Sequence, residues 1–270
     1  MSNEIKFSIN NEKCTGCGLC VNDCQRQVLE IQNNKAVTVN TNCFKCGHCL
    51  AICPENAVKM SGCDDEIWEI KGKKFFLDEK SLLTHLKVRR SIRQFEKTPV
   101  EKEKIDKIIE AGRLTPTASN LQNVRYIVVQ KEIETIEDAV IAQYKPETEL
   151  QQTGASVPSG HFVALPNTYN PDRLKRGFLF QKAPLVILVI SPIEINGCLA
   201  AMSMELMAEA LGLGTVYVRL FTRPANLNKE LRKTLGIIEE EIIAACLAIG
   251  YSKVEYQRTA PKKAANVEWR

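Results

Sequence analysis

The sequence predicts an α+β protein in two parts, and three observations support that prediction. Eight of the eleven cysteines fall within residues 14–53, whereas the chain beyond residue 82 alternates strand-like with helix-like segments. The composition, 44% hydrophobic and 25% charged, is that of ordinary folded domains. A chain of 270 residues is long enough for two cores. We therefore expect a small domain at 1–62, a linker at 63–81 and a larger domain at 82–270.

The cysteines of the first part form an internal repeat. Each run has three cysteines spaced by two residues and a fourth that follows three residues later: Cys14, Cys17, Cys20, Cys24, and then Cys43, Cys46, Cys49, Cys53. Such a triplet wraps one 4Fe-4S cluster, and its fourth cysteine ligates the other cluster. One cluster is therefore assigned to Cys14, Cys17, Cys20 and Cys53, and the second to Cys43, Cys46, Cys49 and Cys24. The pattern over residues 1–62 resembles the bacterial two-cluster ferredoxin, although Gln25 stands where a proline often follows the fourth cysteine.

Zinc is the competing metal, because it also binds thiolates. The spacing favours iron and sulfide, since zinc normally uses paired C-x-x-C knuckles. Two adjacent clusters could be structural, but they favour an electron relay. Of the remaining cysteines, Cys63 is expected in the linker and Cys198 and Cys246 in the core, because the last two lie in apolar runs. His48 is interpreted as a surface or cluster-tuning residue, not a ligand.

The linker is charged and irregular, and we expect it to pack Trp68, Phe75 and Phe76 against one of the domains. A helix should follow, with Thr98 as its N-cap, Pro99 at its first position, an acid at Glu101 and its end at Gly112. The strands predicted from apolar runs are 125–130, 185–190, 215–218 and 242–249. The further helices predicted are 132–144, 199–211 and 226–235.

Several enzyme classes lack their motifs. The sequence contains neither a phosphate loop nor a zinc-protease motif, and Gly212-Leu213-Gly214 lacks the third glycine of a dinucleotide-binding turn. This segment is better interpreted as the end of a helix that leads into a strand. With only three histidines, hydrolase chemistry also has little support.

Two polar segments stand out in the second part. The first, residues 89–95, has three arginines and a serine within five residues, a set suited to a phosphate or a polarised carbonyl edge. The second, residues 115–123, is a small polar loop just before a predicted strand. From the residues alone, a solvated charge cluster and an ordinary loop are an open alternative.

Taken in order, these two segments resemble the opening signatures of the FMN-dependent nitroreductase family. The resemblance continues through residues 180–184, 200–214, 227–236 and 248–251, and so spans about 82–270. It implies an FMN-binding α+β sandwich and an oxidoreductase. It also implies a homodimer, because in that family the second segment reaches the flavin from the other subunit.

The resemblance further implies the flavin-binding residues. The FMN phosphate, ribityl chain and pyrimidine edge are assigned to Arg89, Arg90, Ser91 and Arg93, with Arg93 beside the N1/O2 edge. The segment from the second subunit is Pro116, Thr117, Ala118, Ser119, Asn120 and Gln122. The strand end behind the isoalloxazine ring is Tyr217, Val218, Arg219 and Leu220, where Arg219 occupies a position that is acidic in some relatives. The basic tail contributes Lys262, and less clearly Arg258 or Lys263, to the phosphate; a frayed, solvated terminus is the alternative.

The two parts together predict a relay. A cluster passes one electron at a time, whereas a flavin stores two, so we expect electrons to pass from the clusters to FMN and on to a conjugated acceptor such as a nitroaromatic or a quinone. The donor is reduced ferredoxin or NAD(P)H. The long loop at 145–177, with Phe162 and Tyr169, resembles a lid over the acceptor pocket. A protein that stores flavin without turnover and a redox sensor are the alternatives.

The charge and hydropathy patterns limit partners and location. Thirty-six basic and 32 acidic residues leave a net charge of +4, too small and dispersed to predict nucleic-acid or anionic-membrane binding. No apolar run approaches the ~18 residues of a membrane span, and the first ten residues form no signal-like apolar region. A cytoplasmic location is therefore expected.

Overall fold

A computed structural model describes residues 6–63, 65–70, 72–73, 75–144 and 174–270. The chain divides into two compact units: the first is Met1–Phe76 with Thr117–Leu121, and the second is Leu77–Pro116 with Gln122–Arg270. The domain ranges 1–62, 63–81 and 82–270 stay a prediction. One segment groups differently from that prediction, because Thr117–Leu121 belongs to the first unit.

The first unit is built from short strands and helices, and the cysteines lie in the two helices and in the loops next to them. These elements are β1 (Lys6–Ile9), α1 (Leu19–Asn22), β2 (Leu29–Gln32), β3 (Lys35–Thr38), α2 (His48–Ala51) and β4 (Val58–Ser61). Strand β1 pairs with β4 and β2 with β3, both antiparallel. Each helix directly follows a glycine with positive φ, 78° at Gly18 and 77° at Gly47. The repeat seen in the sequence is therefore also a repeat in the backbone.

The second unit is a sheet with helices. Its elements are α3 (Glu79–Val88), α4 (Lys102–Arg113), β5 (Arg125–Val129), α5 (Ile133–Ile141), β6 (Leu185–Ser191), α6 (Glu194–Ala210), β7 (Gly214–Tyr217), α7 (Arg219–Leu227), α8 (Lys229–Thr234) and β8 (Ile242–Gly250). The strand order is β5-β6-β8-β7, and each neighbouring pair is antiparallel. All four predicted strands are present.

Strand β6 is the centre of the second unit, and every residue in it is buried. Its alternate side chains enter two different cores. Val186, Leu188 and Ile190 pack with residues of α5 and α7, whereas Leu185, Ile187 and Val189 pack with residues of α4 and α6. Burying each of these aliphatic side chains contributes about 1.5–3 kcal/mol. The sheet therefore lies between two helical layers, and the predicted α+β class is confirmed.

Helix α4 begins later than the sequence predicted. Its N-cap is Glu101, not Thr98, and the helix starts at Lys102. The backbone of Glu101 is extended, with a φ of −65° and a ψ of 143°, and Val100 before it is 3% exposed. The Glu101 carboxylate accepts a hydrogen bond from the Tyr251 hydroxyl at 2.6 Å instead of capping the helix.

Other helix boundaries also differ from the prediction. Helix α6 begins at Glu194. The helix predicted at 226–235 is divided between the last residues of α7 and the whole of α8, and α7 begins at Arg219, in a segment where no helix was predicted. The division falls at Asn228, whose side chain accepts a hydrogen bond from Leu231 N and caps α8. The end of α6 agrees with the prediction, because Gly212 has a φ of 77° and Leu213 N donates back to Ala208 O.

The linker aromatics do not pack as predicted. Trp68, Phe75 and Phe76 expose 74%, 71% and 83% of their surfaces, because the described residues between β4 and α3 form no regular element that could present them to a core. Nor does any helix among the described residues have the length and apolar character to cross a bilayer.

Candidate functional site

The first group of candidate residues is the set of cysteines in the first unit. Four of the predicted ligands, Cys14, Cys17, Cys20 and Cys53, line one cavity together with small and apolar residues. Three come from the first run and the fourth from the end of the second run, as the exchange of fourth ligands requires. The residues present therefore fit the cluster assigned to them.

Backbone N–H groups are directed at several of these sulfurs. Cys24 Sγ accepts from Val28 N at 3.4 Å, and Cys53 Sγ accepts from Ala57 N at 3.3 Å, so the fourth cysteine of each run has the same partner four residues later. The first cysteines also accept such bonds, Cys14 from Ala36 N at 3.3 Å and Cys43 from Lys45 N at 3.2 Å. Hydrogen bonds to sulfur are one way in which a protein sets the potential of a cluster.

The thiols differ in how strongly their surroundings oppose ionisation. The N–H of Ala36 lowers the pKa of Cys14, whereas burial, followed by the nearby Cys14, raises the pKa of Cys20. Burial also raises the pKa of Cys49 to about 11, and Cys43 and Cys46 lie close enough to add to that effect. Crowded thiolates require a bound cation to stabilise their charge. Among the described residues, no group of three or more His, Cys, Asp or Glu side chains is placed to share one metal ion; a 4Fe-4S cluster instead distributes its four thiolates over four iron atoms.

The second group of candidate residues lies in the second unit, around a buried carboxylate. Glu205 on α6 is 2% exposed, and its Oε1 accepts from Arg89 Nη1 at 2.8 Å and from Thr215 Oγ1 at 3.2 Å. Burial and contact with Glu205 raise the pKa of Tyr217. The carboxylate therefore joins the arginine segment to the end of β7.

The backbone holds the arginine segment in the same place. Ser91 forms a parallel bridge with Thr215, and Ile92 N donates to Thr215 O at 2.9 Å. The Arg90 guanidinium lies 5.4 Å from the centroid of the Tyr256 ring, while Arg93 is exposed. Arg89, Ser91 and Tyr217, three of the predicted flavin-binding residues, are thus brought together.

An open cavity of about 550 Å³ lies at the end of β7. Tyr217, Val218 and Arg219 line it, together with residues of α6, α7 and β8. On α7 the lining residues Arg219, Thr222, Arg223 and Asn226 recur at helical spacing and so share one face. The predicted strand-end segment therefore borders a space large enough for a small molecule.

The remaining predicted flavin-binding residues are not among the described residues that surround Glu205 or line this cavity. Thr117, Ala118, Ser119 and Asn120 belong to the first unit, whereas Pro116 and Gln122 belong to the second. The tail residues Arg258, Lys262 and Lys263 are exposed, and their role stays a prediction. Of the predicted lid at 145–177, residues 145–173, including Phe162 and Tyr169, lie outside the described residues.

Three expectations about single residues can be compared with the structure. Cys246 is buried as predicted, but the expectation that Cys198 lies in the core is wrong, because it occupies an exposed position of α6 beside the cavity. His48 is exposed, and its Nδ1 lies 3.1 Å from Asp23 Oδ2.

Sequence reasoning missed the acidic residues of α6. Besides Glu205, Glu209 is largely buried on this helix, with its Oε2 2.8 Å from His85 Nε2, and burial raises the pKa of Glu209. The available signal was two glutamates four residues apart in the second half of a largely apolar helix. Such carboxylates require partners when they are buried.

Comparison with known proteins agrees with this fold. Residues 86–251 match the sequence profile of the nitroreductase family, and residues 6–54 match that of the 4Fe-4S dicluster domain. The chain therefore combines an iron–sulfur domain with an oxidoreductase domain. It belongs to the nitroreductase family, whose profile covers more than half of its length.

Individual relatives cover the two parts separately. A putative NADH dehydrogenase/NAD(P)H nitroreductase of Archaeoglobus fulgidus is 27% identical over 168 residues, which are 62% of this chain and 83% of the relative. An uncharacterized ferredoxin of Methanocaldococcus jannaschii is 39% identical over 59 residues, which are 21% of this chain and 95% of the relative.

Solved structures share the fold of the larger part. A nitroreductase with bound FMN from Bacteroides fragilis has a TM-score of 0.54 and 19% identity, and the match covers 71% of this chain and 100% of the other. Another with bound FMN, from Desulfitobacterium hafniense, has a TM-score of 0.52 and 22% identity, and covers 72% and 100%.

Proposed function

We propose that this protein is an oxidoreductase in which two 4Fe-4S clusters pass electrons to FMN and from there to a small conjugated acceptor. The observation that carries the proposal is that one chain contains both a dicluster domain and a nitroreductase domain. In the dicluster domain, the four cysteines assigned to the first cluster line one cavity. When bound, FMN would accept electrons singly and deliver them in pairs. The protein supplies binding, orientation and charge.

The eight repeat cysteines hold the clusters in this proposal: Cys14, Cys17, Cys20 and Cys53 hold the first, and Cys43, Cys46, Cys49 and Cys24 the second. In the second unit, Arg90, Ser91 and Arg93 bind FMN, and the Arg93 guanidinium offsets negative charge at the pyrimidine edge. Arg89 is held by Glu205, which fixes its guanidinium in one orientation. A homodimer completes the flavin site, as the resemblance implies.

The cavity at the end of β7 is proposed to take the isoalloxazine ring of FMN together with the acceptor that stacks on it. Arg219 and Arg223 both line it, and Arg219 stands where some relatives have an acid. These two cations outnumber the single carboxylate of the lining, Glu194, so the cavity favours an acceptor that carries negative charge. We therefore favour nitroaromatics or quinones that bear a carboxylate or another acidic group.

The test is turnover by the reconstituted protein under anaerobic conditions. Reduced ferredoxin or NAD(P)H should be oxidised steadily only when a nitroaromatic or quinone is present. Tight, stoichiometric FMN with no acceptor-dependent flux would instead indicate flavin storage. Redox-dependent association with another protein, without flux, would indicate a sensor.

A further inference from the structure

The peptide group between Phe44 and Lys45 lies within the loop that carries the first two ligands assigned to the second cluster. Its N–H, on Lys45, donates to Cys43 Sγ at 3.2 Å. Its carbonyl, on Phe44, accepts from Asn120 Nδ2 at 3.2 Å. One peptide group therefore connects the Asn120 amide to the sulfur of Cys43.

Asn120 has both the hydrogen-bond donors and the backbone conformation that this position requires. Its Nδ2 carries two protons, and it donates to Lys45 O at 3.0 Å as well as to Phe44 O. Its φ of 53° lies in the left-handed region, which asparagine tolerates better than most residues. Lys45 has a similar φ of 54°, so both partners hold uncommon backbone conformations. The Asn120 side chain thus holds two successive carbonyls, those of Phe44 and Lys45, in a turn that requires an uncommon backbone conformation.

The first cysteine run is supported in a different way. Gly16 stands where the second run has Lys45, and a Cβ at Gly16 would overlap the carbonyl of Asn34 in the turn between β2 and β3. Lys35 Nζ also donates to Cys14 O at 2.5 Å. Neighbouring residues of the ferredoxin-like repeat therefore hold the first loop. In the second loop, Arg26 donates to Asn42 O at 3.2 Å and lies 4.8 Å from the centroid of the Phe44 ring. The carbonyls of Phe44 and Lys45, however, are bonded by Asn120, 75 residues beyond Lys45.

We propose that Asn120 is a positioning residue for the second cluster. By fixing the Phe44–Lys45 peptide group, it directs the Lys45 N–H at Cys43 Sγ, and a hydrogen bond to its carbonyl polarises the peptide and strengthens that N–H as a donor. Donors at cluster sulfurs stabilise the more negative, reduced state and so raise the reduction potential. Loss of the Asn120 amide lowers the potential of the second cluster alone. The proposal rests on the proposed function only for the presence of the clusters.

This role differs from the flavin contact that the resemblance implied for Asn120. The segment Thr117–Leu121 groups with the cysteines by its contacts, and the hydrogen bonds of Asn120 to the cysteine loop lie within that unit. If Asn120 instead served FMN, its replacement would weaken flavin binding and leave both cluster potentials unchanged. The two roles therefore give different measurements.

The test compares Asn120→Gly and Asn120→Asp with Leu121→Ala in the full-length, reconstituted protein. Glycine accepts the positive φ but has no donor, and aspartate keeps the side-chain shape but replaces the donor with a negative charge. Leu121 is the adjacent, exposed residue and serves as the matched control. Iron content, FMN content and both cluster midpoint potentials are measured by anaerobic redox titration with electron paramagnetic resonance.

We expect one midpoint potential to fall in Asn120→Gly and to fall further in Asn120→Asp, while the other midpoint and all Leu121→Ala values match the wild type. Loss of iron from the second cluster only would also support the proposal. Unchanged midpoints, or equal loss of both clusters, would overturn it. Failure of the proposed function would appear separately, as wild-type protein whose clusters are reduced but whose flavin is not.

Discussion

Arg89 Nη1 donates to Glu205 Oε1 at 2.8 Å, and the Glu205 side chain is only 3% exposed. A strand residue completes the arrangement, because Thr215 Oγ1 donates to the same oxygen. The pair thus ties the arginine segment to both α6 and β7. The sequence showed three arginines within five residues, but it did not show that one of them is bound to a buried carboxylate.

Replacing Glu205 with methionine should destabilise the protein by ~3 kcal/mol, because Arg89 then loses its charged partner in a largely buried position. The double variant Arg89→Met, Glu205→Met should recover much of this loss, since it removes both charges. Urea denaturation followed by circular dichroism measures the difference.

The matched control for this pair is Glu134→Met, which breaks an exposed ion pair with Arg176. An exposed pair contributes less than about 1 kcal/mol, so this variant should stay near the wild type. Equal losses in Glu205→Met and Glu134→Met would contradict the buried role of Glu205.

Two glycines of the first cysteine run offer a second test. Gly16 and Gly18 have similar φ angles, 72° and 78°, but a Cβ would meet the Asn34 carbonyl only at Gly16. Gly18→Ala should cost about 1 kcal/mol for the left-handed backbone alone. Gly16→Ala must also move the turn between β2 and β3, so it should cost more and reduce iron incorporation. Similar iron content and unfolding midpoints for the two variants would argue against this packing.

Removing one ligand tests the exchange of fourth cysteines. Cys53→Ser should lose the cluster that it shares with the first run, so that iron content falls by about half while the second cluster keeps its spectrum. Cys63→Ser is the control, because Cys63 is exposed and lies outside the repeat. The assignment is wrong if Cys53→Ser loses the cluster of the second run instead.

The charge of the acceptor can be tested on α7. Arg219→Glu should lower kcat/KM for a nitrobenzoate by about fivefold to tenfold relative to an uncharged nitrobenzyl alcohol, equivalent to ~1 kcal/mol for an exposed charge. Lys229→Glu makes the same charge change on α8 and is not among the residues that line the cavity. An equal change for both acceptors, or an equal effect of both variants, would remove Arg219 from acceptor selection.

The sequence predicted the structure correctly where a pattern of residues is compatible with only one local structure. The cysteine spacing predicted which four thiols share a cavity, and the apolar runs predicted all four strands of the main sheet. Strand β6 was predictable because it is buried on both faces, so every position is apolar.

The sequence was insufficient where distant residues decide the outcome. Thr98, Pro99 and Glu101 match the pattern of a helix start, but Val100 is buried, Glu101 is extended and α4 begins only at Lys102. Asn120 lies in a polar loop with no local sign of a partner, and the carbonyls that it contacts are 75 and 76 residues away. Cys198 lies in an apolar run, but it occupies the exposed side of α6.

Electron transfer to FMN through the clusters can be followed by anaerobic stopped-flow absorbance with reduced ferredoxin as the donor. In the wild type, cluster absorbance should bleach first and flavin absorbance second, and a nitrobenzoate should then restore both. In a variant whose repeat cysteines are replaced by serine, FMN should remain bound but stay oxidised. Equally fast flavin reduction by ferredoxin in that variant would contradict the account.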